Sequence, residues 1–455
     1  MITFLGFLAL SAAAYLLHGD GRRGLGQPAL LFCGTWALLL LLLSLPGSSL
    51  FPVSPTTVFF VVAGALSFSA GCRAQESLAK PRNPQQTYLA YHAARHQRQK
   101  KVDKILNVLI GVSVIGLPFY LDQQVGGISY LRGGDLLYAL RRNSLAEADT
   151  ALGTIDLISN LSSLAQITAL VAALEWKRSR VSTLKLVIAI ATAVGYALSV
   201  GSAAPVLRIF SAVGGVMLLS TRSIDLRISA ALGAITVAIF VFLALQLGKG
   251  YIDPELSAWD NLQALRDTLI TYSVGSVVAL DRIVHAPDAI PASWHPLRVP
   301  MLALVKLGIP ISVPPLHAEF TQISNFGAAN TYTMYFAYLP WLGFSGTLLA
   351  NFSLGFGAGW TYTRARLGQP VAGALYGLIV AGIVFSGFNE NLLLGMDLFL
   401  KTGVLVILIY GFKRTSESTR PKSRAGHPRR PRNPPTRRFT PSVSRGHALP
   451  RRVAN

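Results

Sequence analysis

Charge is scarce in this sequence: 13% of its 455 residues are Asp, Glu, Lys or Arg, against about 25% in ordinary soluble domains. With 51% hydrophobic residues, the chain lacks the polar surface that a water-soluble body of this length would need. Acids are scarcer still, 20 against 41 Lys and Arg. No P-loop, no GxGxxG entering a helix, no HExxH and no DxD pair occurs, so nucleotide-dependent and metal-dependent chemistry lose their usual sequence basis. The two cysteines, Cys33 and Cys72, both fall in apolar blocks and build neither a disulfide framework nor a CxxC metal site. The first apolar block carries no basic residue ahead of it and Arg22 and Arg23 behind it, the reverse of a secretory signal, so it reads as a retained helix.

What the sequence does have is apolar blocks, each about as long as a helix needs to cross a ~30 Å hydrocarbon slab. They fall at 2–18, 28–46, 56–72, 105–121, 152–174, 184–203, 205–220, 228–247, 338–360, 371–388 and 394–412. The expected fold is therefore an all-α polytopic membrane protein with about eleven transmembrane helices (range 10–12), in which 1–412 forms the membrane domain. If the first span runs inward, 31 of the 41 basic residues lie on the cytoplasmic side and eight on the other, with Arg208 and Lys401 inside spans. That bias puts the N-terminus outside and the C-terminus in the cytoplasm. The net charge of +21 follows the same logic and does not imply nucleic acid, because 13 basics sit in the tail 413–455 and most others between apolar blocks. With seven prolines and one acid, that tail is predicted to be disordered and to touch anionic lipid headgroups.

Two outward segments stand out. The shorter, 122–151, holds a Gly126-Gly127 turn and a run with Leu136, Leu137, Leu140 and Leu145 beside Arg141 and Arg142, the pattern of an interfacial amphipathic helix. The longer, 248–337, combines amphipathic helical runs with a proline-punctuated stretch, and a loop of that size points to function. Polar groups expected at this face include Arg208, Arg266, Asp281, Arg282, His317, Glu319, Asn330, Tyr332 and Glu390. Together they suit an anionic, lipid-linked substrate. Arg208 follows Pro205 at the outer end of a span, where a guanidinium fork matches phosphate oxygens; the alternatives are snorkelling to the interface or pairing with Asp156. Asp281 and Arg282 diverge by about 100° on a helix, so Asp281 is expected as a solvated surface group and Arg282 as a ligand contact or a surface charge. His317 and Glu319 follow a rigid VPP and either accept a proton from a sugar hydroxyl or merely brace the loop. Asp397 and Lys401, four apart on the last span, are expected to neutralise one another.

The stretch SNFGAANTYTMYFAYLPWLGFSGTLLANFSLGFGAGWTY (324–362) resembles the hallmark of the O-antigen polymerase, or oligosaccharide repeat unit polymerase (Wzy-type), family, with an N-x-Y-T lead-in, a glycine pair at Gly343 and Gly346, and a Gly-rich exit. TLITYSVGSVVALD (268–281) is similar to the family's upstream segment, and ALSVGSAAPVLR to its Gly-Ser-Arg turn between central spans. Trp341 and Leu342 replace the family's Asp before the glycine pair, and Ala203 stands where its Arg follows Gly-Ser, with Arg208 further on in its place. The resemblance implies an inner-membrane glycosyltransferase, free of metal and cofactor, that polymerises undecaprenyl-pyrophosphate-linked oligosaccharide repeat units on the periplasmic face. It implies that Arg208 and Arg282 neutralise the pyrophosphate, that His317 or Glu319 assists the attacking hydroxyl, and that Arg266, Asn330, Tyr332, Thr333 and Glu390 bind substrate. Membrane lipids and possible pairing with a chain-length regulator complete the expected partners. An O-antigen ligase, which passes the same donor to lipid A core, shares the pattern. A lipid-linked oligosaccharide flippase shares the buried arginines but calls for duplicated halves absent from this sequence, and a structural scaffold calls for no critical arginine.

Overall fold

In hydrocarbon a backbone must pair its own N–H and C=O groups, so long apolar runs fold as helices. The computed structural model describes residues 1–18, 25–45, 50–78, 96–125, 159–178, 181–199, 203–219, 257–286, 295–314, 320–325 and 327–411. The amphipathic run after residue 126, the span 228–247, His317, Glu319 and the tail 413–455 lie outside these residues. The described part is mostly helical: α1 (Ile2–His18), α2 (Pro28–Ser44), α3 (Pro55–Leu78), α4 (His96–Val125), α5 (Ser159–Lys177), α6 (Thr183–Leu198), α7 (Ala203–Leu218), α8 (Ala258–His285), α9 (Arg298–Lys306), α10 (Leu339–Arg366), α11 (Pro370–Val384) and α12 (Met396–Tyr410).

Among the described residues three stretches, Pro55–Leu78, Val102–Gln123 and Pro370–Gly387, are long and apolar enough to cross a membrane; Ile2–Leu17, Pro28–Ser44, Thr183–Leu198 and Ala204–Leu218 are apolar but shorter. The described residues do not confirm the expected count of about eleven: helices of 17 residues such as α1 and α2 rise about 25 Å against a core of ~30 Å, and the expected span 228–247 lies outside the described residues. Membrane character is nonetheless plain. Val108, Val112, Ile115 and Phe119 form one exposed apolar stripe along α4, a face that water would not tolerate at this size and that lipid covers.

Helix α11 is the shared wall of the bundle. Its Ile379 and Ile383 belong to a core built with α1, α2, α3, α8 and α10, while its Ala374, Leu378 and Ala381 belong to a second core with α4 to α7 and α12. Helices α3 and α10 cross at backbone contact: a Cβ on Gly71 would fall 2.0 Å from the Phe352 carbonyl oxygen, and one on Gly355 2.0 Å from that of Phe68. The Cys72 thiol donates to the Gly355 carbonyl at 3.1 Å and the Ser67 hydroxyl to that of Leu348 at 2.7 Å. Small residues and polar side chains thus hold this pair, as expected where apolar burial gives no advantage over lipid.

Within 248–337, expected as a large outer segment containing amphipathic helices, helix α8 packs into the bundle. It rises about 42 Å, and Val274, Val277, Val278, Ala279, Leu280 and Ile283 from its second half sit in the first core. Asp281 is not solvated either: its Oδ1 accepts from the Ser54 backbone N–H at 2.9 Å and the Ser54 hydroxyl at 2.6 Å. Ser54 in turn accepts from the Thr57 N–H, capping the start of α3. A short hairpin, β1 (Thr321–Gln322) and β2 (Ala328–Ala329), pairs antiparallel with Thr321 opposite Ala329. The Phe51 N–H donates to the Ile323 carbonyl at 2.9 Å, tying the hairpin to the same corner.

Candidate functional site

Arg208 lies in the second turn of α7, deeply placed but with some surface still accessible. Its Nη2 donates to Asn391 Oδ1 at 2.6 Å. Among the described residues no acid reaches ion-pair distance of it, and Asp156, the alternative partner, lies outside them. Held by a neutral amide, this deeply placed guanidinium keeps spare donors as far as the described residues go.

Asn391 belongs to the turn Phe388–Gly395 between α11 and α12, and Glu390 builds that turn. Glu390 is 0% exposed. Its Oε1 accepts from the amides of Leu392 (2.8 Å) and Leu393 (3.0 Å), and its Oε2 from those of Leu393 (2.9 Å) and Leu394 (2.9 Å). The Asn389 side chain accepts from the Glu390 N–H at 2.8 Å, and the Asn391 side-chain amide donates to the Asn389 carbonyl at 3.3 Å. Burial pushes the Glu390 carboxyl above its ordinary value, outweighing the backbone amides that pull it down. In this placement the carboxylate presents no oxygen to a ligand; it fixes the turn that carries Asn391.

The lead-in to α10 reaches the same turn. The Tyr338 hydroxyl is buried beside the Glu390 carboxylate, close enough to interact but short of hydrogen-bond geometry. Upstream, Tyr332 stacks on Phe336 at 4.3 Å and its hydroxyl meets the Thr321 hydroxyl. Thr333 is buried with its hydroxyl making no hydrogen bond among the described residues, and Asn330 is partly buried after β2. Beyond Tyr338, α10 kinks at Gly343, whose φ of 66° only glycine adopts without strain.

The structure therefore brings Arg208, Glu390 and, through Tyr338, the 332–338 segment into one neighbourhood, with Tyr332, Thr333 and Glu390 packed inward rather than lining an open surface. Arg282 stands elsewhere, exposed with its guanidinium 4.8 Å from the centre of the Phe51 ring. Arg266 is exposed on the first half of α8 and bonded to Asp267 at 2.9 Å. Lys401 pairs with Asp397 at 2.6 Å. A cavity of about 430 Å³ lined by Arg73, Ala74, Glu76 and Ser77 lies at the end of α3 opposite Ser54. Among the described residues no three His, Cys, Asp or Glu side chains converge.

Asn391 and Tyr338 are the contributors that sequence reasoning passed over. The signal for Asn391 was the polar triplet Asn389-Glu390-Asn391 between two apolar blocks. No protein family, curated protein or solved structure matches the chain.

Proposed function

We propose that this membrane protein is a glycosyltransferase of the bacterial inner membrane, of the O-antigen polymerase type. It would join undecaprenyl-pyrophosphate-linked oligosaccharide repeat units on the periplasmic face, from a body of about eleven spans with the N-terminus outside and the C-terminus in the cytoplasm. One observation carries the reading: Arg208, a deeply placed guanidinium whose hydrogen-bond partner is the neutral Asn391. A deeply placed cation with no counter-ion among the described residues is costly, and an anionic ligand offsets that cost. The resemblance of 324–362 and 268–281 to the polymerase family, and the 31-to-8 split of basic residues, support the choice of a lipid-linked pyrophosphate as that anion.

In the reaction, a sugar hydroxyl of one unit attacks the anomeric carbon of another. The bond to the pyrophosphate oxygen breaks with its electron pair, and the hydroxyl proton passes to a base, the role proposed for His317 or Glu319. Negative charge develops on the leaving pyrophosphate, where a pre-oriented guanidinium stabilises it. Arg282 and Arg266 sit at more exposed positions suited to first capture of the anionic headgroup. Asn330, Tyr332 and Thr333 would shape the access of sugar or lipid, and Glu390 acts through the turn it holds.

Arg208→Ala is expected to lower the polymerisation rate by about 10²–10³-fold, with Arg208→Lys keeping part of the activity because it retains charge but loses the bidentate fork. Glycan chain length in cells carrying each variant, at equal protein level, is the measurement; normal chains with Arg208→Ala reject the assignment.

A further inference from the structure

We propose that Asn391 is a positioning residue that fixes the Arg208 guanidinium without discharging it, so that the charge stays available to a phosphorylated lipid. The inference rests on the reading of Arg208 as an anion-binding group and adds what keeps it one. Deeply placed arginines are ordinarily paired with carboxylates. Among the described residues an acid stands one position away in sequence: Glu390 precedes Asn391, is fully buried, and yet spends both oxygens on the amides of Leu392, Leu393 and Leu394. The turn thus directs the carboxylate into its own backbone and a neutral amide oxygen, 2.6 Å away, at the arginine. The reverse order would place a buried ion pair at this point, stable and indifferent to anions.

The amide also has a defined orientation. Asn391 Nδ2 donates to the Asn389 carbonyl at 3.3 Å, which leaves Oδ1 as the atom facing Arg208. Among the described residues one of the five guanidinium donors is engaged, and the others are aimed by a rigid plane. Arg208 retains partial exposure, so a headgroup has a way to it.

The test exploits the near-identity of Asn and Asp in shape. Asn391→Asp keeps the acceptor and adds a negative charge at the guanidinium. A purely structural role predicts an equally or more stable protein that binds anions as before. A positioning role predicts a stable protein in which binding is lost. Full-length protein in nanodiscs is titrated with undecaprenyl pyrophosphate, with the neutral undecaprenol as control and inorganic pyrophosphate to separate the lipid from the free anion, while melting temperature reports the fold. Wild type is expected to prefer the pyrophosphorylated lipid to undecaprenol, Arg208→Ala to lose that preference, and Asn391→Asp to weaken it by at least about tenfold without a lower melting temperature. Wild-type preference in Asn391→Asp, with Arg208→Ala impaired, overturns the role of Asn391 alone. Preference retained in Arg208→Ala, or absent from wild type, overturns the reading of Arg208 and this inference with it. Should Asn391→Asp not accumulate, Asn391→Leu removes the acceptor at similar size and is expected to weaken binding; unchanged affinity there is equally contradictory.

Discussion

Asp281 and Arg282 are adjacent on α8 and both pin the corner 51–54, one through hydrogen bonds to Ser54 and the other across the Phe51 ring. Their energies differ. Asp281→Ala removes charge-assisted bonds of a largely buried carboxylate and is expected to cost about 1.5–3 kcal/mol, whereas Arg282→Ala forfeits an exposed cation–π contact worth about 0.5–1 kcal/mol. Thermal melting in detergent should therefore rank Asp281→Ala well below Arg282→Ala. Glu390 makes a different prediction. Its folded value lies above its ordinary one of 4.5, so the fold binds the proton more tightly than the unfolded chain; that contribution is fully present below about pH 4.5 and is lost as pH rises through the folded value. Glu390→Gln should flatten this dependence. It should also cost about 1–3 kcal/mol, because an amide NH2 would face backbone N–H donors. A melting-temperature profile identical to wild type would contradict both parts.

Helices α3 and α10 meet where neither backbone leaves room for a side chain, with Gly71 and Gly355 each against a carbonyl. Gly355→Leu is expected to separate the pair and abolish accumulation of folded protein, which detergent-extracted yield and size-exclusion profile would report. Gly343→Ala adds no collision but forces φ near 66° on a residue with a Cβ, a strain of about 1–2 kcal/mol. Element positions were largely legible, because continuous apolar runs mark helices whatever surrounds them. The seating of α8 was not. The run 268–281 announces an amphipathic helix, and nothing in its pattern says whether the apolar face meets lipid headgroups or the inside of the bundle. The packing of Val274 and Val277 against the first core decides it. The polar triplet around Asn391 is visible in the sequence, but its role is not, for a related reason: its partner is 183 residues away in sequence, and a neutral amide draws no notice until the charge beside it is placed.

At the scale of the whole molecule, scarce charge and apolar exposed faces make a membrane protein, and the distribution of Lys and Arg gives its proposed orientation. Cysteines introduced at 289 and 430 test that orientation: a membrane-impermeant thiol reagent on intact cells is expected to label 289 and spare 430. The central claim, that this bundle polymerises lipid-linked glycans with Arg208 at the pyrophosphate, is tested most directly with purified protein in vesicles supplied with undecaprenyl-pyrophosphate-linked repeat units. Gel separation of the products should show a ladder of two or more units that persists in excess EDTA and disappears with Arg208→Ala. Folded wild-type protein that leaves the units single, or that needs one particular divalent ion to extend them, would contradict the account.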